Sequence, residues 1–191
     1  MRSIKIFPDP VWKGTFPGRI DKILSKADNF KSDKNVTTKK LAGHTQKYNT
    51  KDYPHDWPEL DEFNQWLSKG FQTVWQDWDL KLEPYQDLRF KSWINYNSKN
   101  DYLLEHTHPN DVMTVVFYLQ KKKNTGNLQV LNPMMYHWQN NPDTKFWKTI
   151  PAETSDVIII PGWMMHKVEI NDSDEERISM TINVQIIHKE K

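Results

Sequence analysis

Cysteine is absent from the 191 residues, which excludes disulfide scaffolding, thiolate metal sites and cysteine nucleophiles. Any metal must therefore be held by nitrogen and oxygen, and the lack of thiols fits an intracellular protein. Charge of one sign is missing as well: 26 basic side chains stand against 25 acidic ones, so bulk charge selects neither nucleic acid nor an anionic membrane. No apolar run approaches the roughly 20 residues that span a bilayer. The opening Met-Arg-Ser-Ile-Lys-Ile-Phe-Pro lacks the apolar stretch of a signal peptide. The expectation is a soluble cytoplasmic protein, with no nucleic acid and no membrane among its partners.

What the chain does have is aromatic mass, 13% of its residues and nine of them Trp, a packing signal first. Its length suits one domain, 1–191. The segment from Asp28 to Asp56 is polar and Lys-rich and reads as loops, with one short strand near Leu41 to Tyr48. From Pro58, the residues Leu60, Phe63, Leu67, Phe71, Val74 and Trp78 recur at steps of three and four, with acidic residues in the first turn. This predicts an amphipathic helix from Pro58 to Asp79. After Pro84 the period shortens towards two. Strands are expected over Leu88–Asn97, Asp101–His108, Val112–Leu119, Gly126–Leu131, Val157–Ile160, His166–Ile170 and Arg177–His188. Short strands broken by Pro, Gly and Asn suggest a jelly-roll sandwich rather than βαβ units. The expected class is mainly β with N-terminal α: a double-stranded β-helix core over 82–191, supported by helix and loops over 1–81.

Residues two apart in an extended segment share a face, so His106 and His108 can clamp one ion. His166 lies 58 residues further on, past the apolar run Val157-Ile158-Ile159-Ile160 and the turn Pro161-Gly162. Three imidazoles on one face leave metal positions open for co-substrate or substrate. Arg177 opens the run Arg177-Ile178-Ser179-Met180-Thr181-Ile182-Asn183, whose alternation puts Arg177, Ser179, Thr181 and Asn183 on one face. A polar face on so apolar a strand is costly unless it lines a site, and an Arg there needs a carboxylate or phosphate. The Tyr118 hydroxyl could serve the same anion. His44, His55, His137 and His188 read as surface or hydrogen-bonded core residues outside the site. Trp93, Asn95 and Asn132 are candidate pocket-wall residues.

The order His106-Thr107-His108-Pro109, then Val115-Val116-Phe117-Tyr118-Leu119, then Pro161-Gly162 with His166, then Arg177-Ile178-Ser179 with Asn183, resembles the 2-oxoglutarate/Fe(II) oxygenases. Within that superfamily it resembles a group common in bacteria and phages. The resemblance covers about Trp93 to Asn183. It implies that His106, His108 and His166 hold Fe(II), and that Arg177 and Ser179, with Tyr118 and Asn183, hold 2-oxoglutarate. It further implies that O2 oxidises the co-acid to succinate and CO2 with hydroxylation of a small-molecule or peptidyl substrate. His-x-His departs from the His-x-Asp or His-x-Glu of most members, so Asp111, brought round by a turn at Pro109-Asn110, stands as the alternative to His108. Two other functions fit the same residues: a cupin-type metalloenzyme using Zn or another ion without a co-acid, and a non-catalytic jelly-roll binding module. The expected substrate loops are Asn97–Tyr102, Lys121–Thr125 and Met134–Lys148, the last an aromatic lid that orders on binding, and exposed Trp and Met could support a homodimer.

Overall fold

In the computed structural model, residues 11–41, 43–49, 52–132 and 146–189 are described. Most of the expected lid, and His137, lie outside these residues. The chain forms β1 (Trp12–Thr15), α1 (Asp21–Ser32), β2 (Thr37–Leu41), β3 (His44–Tyr48) and α2 (Asp61–Asp77). There follow β4 (Gln86–Asn97), β5 (Leu103–His106), β6 (Met113–Gln120), β7 (Leu128–Leu131), β8 (Trp147–Ile150), β9 (Asp156–Pro161), β10 (His166–Val168) and β11 (Arg177–His188).

These strands make a seven-stranded sheet, β1-β9-β6-β11-β4-β3-β2, and a four-stranded sheet, β5-β10-β7-β8. Among the described residues every strand pairing is antiparallel. From β4 onward the chain passes back and forth between the two sheets, which is the double-stranded β-helix expected from the sequence. Among the described residues the fold is mainly β with two α-helices.

Alternation along the central strands divides the apolar residues between two layers. Ile178, Met180, Ile182 and Val184 of β11, with Val115, Phe117 and Leu119 of β6, face the helices. There the stripe Phe63, Leu67, Phe71 and Val74 of α2 is buried. Phe63 stacks on Phe117 with ring centroids 4.2 Å apart, so the predicted helix face docks where periodicity puts it. The opposite face of β11 turns Arg177, Ser179 and Thr181 into a cavity between the sheets. A smaller cluster around Tyr118, Leu128, Ile158 and Ile160 closes that space.

Four features differ from the sequence-based expectation. The helix begins at Asp61 after a single 3-10 turn, Pro58–Leu60, and ends at Asp77, two residues short of the predicted stop. Residues 28–56 are not mainly loop: α1 buries Ile23, Ala27 and Phe30, and β2 and β3 form a hairpin paired to β4. The N-terminal support therefore contributes three strands to the large sheet, not only a buttress. The predicted strand Asp101–His108 is only Leu103–His106, so His108 stands beyond it, where its backbone N–H donates to Gly162 O at 2.7 Å.

Candidate active site

Both sheets contribute to a cavity of about 550 Å³, lined by His106, His108, His166, Arg177, Ser179 and Tyr118 together with residues of the β2–β3 hairpin. This volume is within the range of sites for small organic ligands, roughly 300–1,000 Å³.

One ring nitrogen from each of His106, His108 and His166 lies within 4.8 Å of the others. His166 sits opposite His106 in the β10–β5 pairing, so strand register brings the distal histidine to the first. The tautomers follow from the backbone. His106 Nδ1 is 2.8 Å from Leu104 O and His166 Nδ1 is 2.8 Å from Met164 O. A carbonyl only accepts, so each Nδ1 carries its proton and each Nε2 keeps a free lone pair. That is the arrangement of metal-ligating imidazoles, with the outer nitrogen pinned by a carbonyl.

Asp111 does not join the three. Its carboxylate accepts hydrogen bonds from the Asn183 amide and from Gln185 Nε2 at 2.7 Å. It stands 3.7 Å from His108 Nδ1, behind the ring. Burial raises its pKa, against the opposing effects of Gln185, Lys91 and Asn183. Asn183, expected at the co-acid with Arg177 and Ser179, instead has its amide nitrogen 3.0 Å from His108 Nδ1. The polar face of β11 thus serves two sites: its first residues face the cavity and Asn183 backs a histidine.

Arg177 is 2% exposed. Its Nη1 donates to Thr125 O at 2.8 Å and to Gly126 O at 3.0 Å. Among the described residues no carboxylate lies within salt-bridge distance of it. Its sequence neighbour Glu176 is taken by Lys31, at 2.7 Å. A buried guanidinium without a counter-ion is costly, and the rest of its donor fork is suited to an anion. Ser179 pairs across the sheet with Tyr118, whose buried hydroxyl has its pKa raised to about 12 by burial, against the pull of Arg177. Of the candidate wall residues, Trp93 and Asn95 line the cavity and Asn132 does not. Trp93 Nε1 donates to Asn95 Oδ1 at 3.0 Å, and Asn95 Nδ2 to Thr181 Oγ1 at 2.8 Å.

One cavity residue was read from sequence as bland. His44 is 4% exposed and lines the cavity, and among the described residues neither of its ring nitrogens has a hydrogen-bond partner. The only sequence signal for it was its parity with Gln46 in a hairpin whose strands carry few apolar residues.

Burial lowers the pKa of His44 to about 4, with Arg177 next in effect. It lowers His108 to about 4 and His166 to about 3, both also through the charge of His106. The folded-state values lie below the unfolded 6.5, so the unfolded chain takes up protons first as pH falls. The metal-free protein is expected to hold full stability above pH 6.5 and to lose it progressively towards pH 3–4. Thermal melts across this window check it: a constant Tm down to pH 4 would mean that the imidazoles are not desolvated.

A family model described as "Putative 2OG-Fe(II) oxygenase" matches residues 91–183. That segment, just under half of the chain, is similar to the 2OG-Fe(II) oxygenases. No curated protein matches it in sequence. Among solved structures it resembles a Pseudomonas putida prolyl-4-hydroxylase at 12% identity and a TM-score of 0.63, covering 96% of this chain and 94% of that one. A Trichoplax adhaerens prolyl hydroxylase in complex with a hypoxia inducible factor peptide fragment matches at 14% identity and 0.62, covering 92% and 83%. Streptomyces hygroscopicus HygX, with nickel and 2-oxoglutarate bound, matches at 10% and 0.60, covering 93% and 83%. At such identities these likenesses establish the shared jelly-roll fold. The matched segment contains the three clustered histidines, Tyr118, Arg177 and Ser179; His44 lies outside it. Among the described residues no helix is long and apolar enough to cross a membrane.

Proposed function

We propose that this oxygenase holds Fe(II) on His106, His108 and His166 and binds 2-oxoglutarate with its distal carboxylate on Arg177 and Ser179, near Tyr118. With O2 it then hydroxylates a small-molecule or peptidyl substrate, releasing succinate and CO2. The observation that carries this reading is Arg177: a buried guanidinium with no carboxylate of its own, on the wall of a cavity into which three imidazoles also converge. The donor set fits the metal, since His106 and His166 are neutral nitrogen ligands with free Nε2 lone pairs, which suit a first-row divalent ion. HygX, which shares the fold, holds nickel and 2-oxoglutarate.

When bound, the iron and co-acid supply the oxidising chemistry. The chain itself supplies position and charge. The Leu104 and Met164 carbonyls fix two ligand rings. Asp111, behind His108, places a negative charge beside a metal site that has no carboxylate ligand. Arg177 and Ser179 orient the co-acid, and the apolar cluster around Tyr118, Leu128 and Ile158 closes the inner end of the cavity to water. A zinc enzyme without a co-acid leaves Arg177 with no task, and no observation favours it.

Anaerobic addition of Fe(II) and 2-oxoglutarate is expected to give the weak visible charge-transfer band of the chelate; its absence, with no thermal protection by the co-acid, would sink the reading. Arg177→Met should weaken 2-oxoglutarate binding by about thirtyfold or more, the effect of removing one partner of a buried charge pair, and leave metal content intact. Loss of metal instead would show that Arg177 supports the ligands rather than the co-acid.

A further inference from the structure

His44 is the unexplained group in this cavity. Buried polar atoms are normally paired, yet both nitrogens of this imidazole are buried without a partner among the described residues while the side chain lines the cavity. Strand register gives its position. Thr45 pairs with Tyr96, which puts His44 level with Asn97, and Asn97 pairs with Arg177. His44 and Arg177 therefore stand at one level of the sheet's inner face, two strands apart, with roughly 10 Å between their Cα atoms. Cross-strand neighbours of the same face, Gln46, Asn95 and Ser179, form the next row.

The permanent charges that act on His44 are the cations Arg177 and Lys39. An imidazole with an unused N–H, in a cavity biased positive, lacks an acceptor oxygen. Arg177 on the same level lacks an anion, having spent Nη1 on two backbone carbonyls. One carboxylate answers both. It offers about four acceptor positions on two oxygens, and a carboxylate hydrogen-bonded on either side spans roughly 8 Å, which inward-pointing side chains on strands two apart can bracket.

We propose that His44 donates an imidazole N–H to the distal carboxylate of 2-oxoglutarate, sharing that carboxylate with Arg177 and Ser179. This rests on the co-acid reading above and adds to it a residue from outside the matched segment 91–183. The β2–β3 hairpin is then part of the co-acid site and not only an edge of the sheet.

The test compares two co-acids on the full chain loaded anaerobically with Fe(II): 2-oxoglutarate, and 2-oxovalerate, which has the same carbon chain with a methyl in place of the distal carboxylate. His44→Ala should weaken 2-oxoglutarate about tenfold, as loss of a hydrogen bond to a charged group does, while leaving 2-oxovalerate affinity and iron content unchanged. His44→Gln, which keeps a side-chain N–H, should recover most of the loss. In the zinc-loaded protein, the ¹⁵N signals of His44 should shift on adding 2-oxoglutarate and not on adding 2-oxovalerate. Three results overturn the proposal: 2-oxoglutarate affinity within twofold of wild type in His44→Ala, equal losses for both co-acids, or loss of iron. Wild-type protein that binds no 2-oxoglutarate at all would overturn the proposed function itself, and this assignment with it.

Discussion

His166→Ala is expected to leave the protein folded and unable to retain Fe(II). His166 is 3% exposed and belongs to a three-residue strand held on both sides, by β5 and by β7. Its backbone hydrogen bonds do not depend on the side chain, so the strand survives the substitution. The ring is the most strongly desolvated of the three, with a pKa lowered to about 3, and removing it relieves the metal-free protein of a buried group that resists protonation. The metal-bound state would lose one of the three grouped ligand atoms, and among the described residues no other His, Asp or Glu groups with them; Asp111 is held behind His108 by Asn183 and Gln185. Substitutions one shell further out commonly cost 10- to 100-fold in metal affinity, so the loss here should exceed about 100-fold. Iron content after dialysis measures it, with melting of the metal-free variant as the control. Iron retained in His166→Ala would mean that the three imidazoles are not the site.

The contrast with Arg177→Met is designed to separate two parts of one cavity: His166→Ala is expected to lose metal and keep its shape, Arg177→Met to keep metal and lose the co-acid. That both sets of residues face one cavity was legible in the sequence because each is a local pattern. Period-two alternation from Arg177 to Asn183 shows its polar face without any knowledge of which strands adjoin it. The stripe from Phe63 to Val74 likewise reads as a buried helix face, and it docks on Phe117. What was not legible depended on pairing. Four of the five residues of β2 are exposed, so nothing in their polarity marks a strand; hydrogen bonds to β3, and of β3 to β4, make it one. His44 becomes a cavity residue only through that pairing. In α1 the three buried residues, Ile23, Ala27 and Phe30, are too few among Lys and Asp to show a stripe. Asn183 looked like its face-mates, but the cavity ends before it and the 108–111 turn meets it instead. Alternation gives a side chain's face and says nothing about what lies opposite.

That turn is the basis of the second large effect, expected for Gly162→Ala. A Cβ at Gly162 would lie 1.9 Å from Asp111 O and 2.8 Å from His108 O, both backbone atoms that cannot swing aside. The close approach is used by the structure: His108 N–H donates to Gly162 O at 2.7 Å, Gly162 N–H to Val112 O at 3.2 Å, and Asp111 N–H to His108 O at 3.0 Å. These bonds pin the segment after β5 against the turn after β9, and they set His108 among the other imidazoles although it lies outside any strand. A methyl group there must push the two segments apart. Overpacking of this kind costs about 3 kcal/mol, or a fall in Tm of roughly 6–12 °C for a chain of this size. The displaced segment carries both His108 and Asp111, so iron affinity should fall together with Tm. Gly70→Ala is the matched control: a Cβ there meets nothing within 4 Å, and in the middle of α2 it should raise stability by about 0.5–1 kcal/mol with iron binding unchanged. If Gly162→Ala lowered Tm but bound iron like wild type, the position of His108 would be set by its own side-chain partners, Asn183 and Asp111, and not by the backbone beneath it.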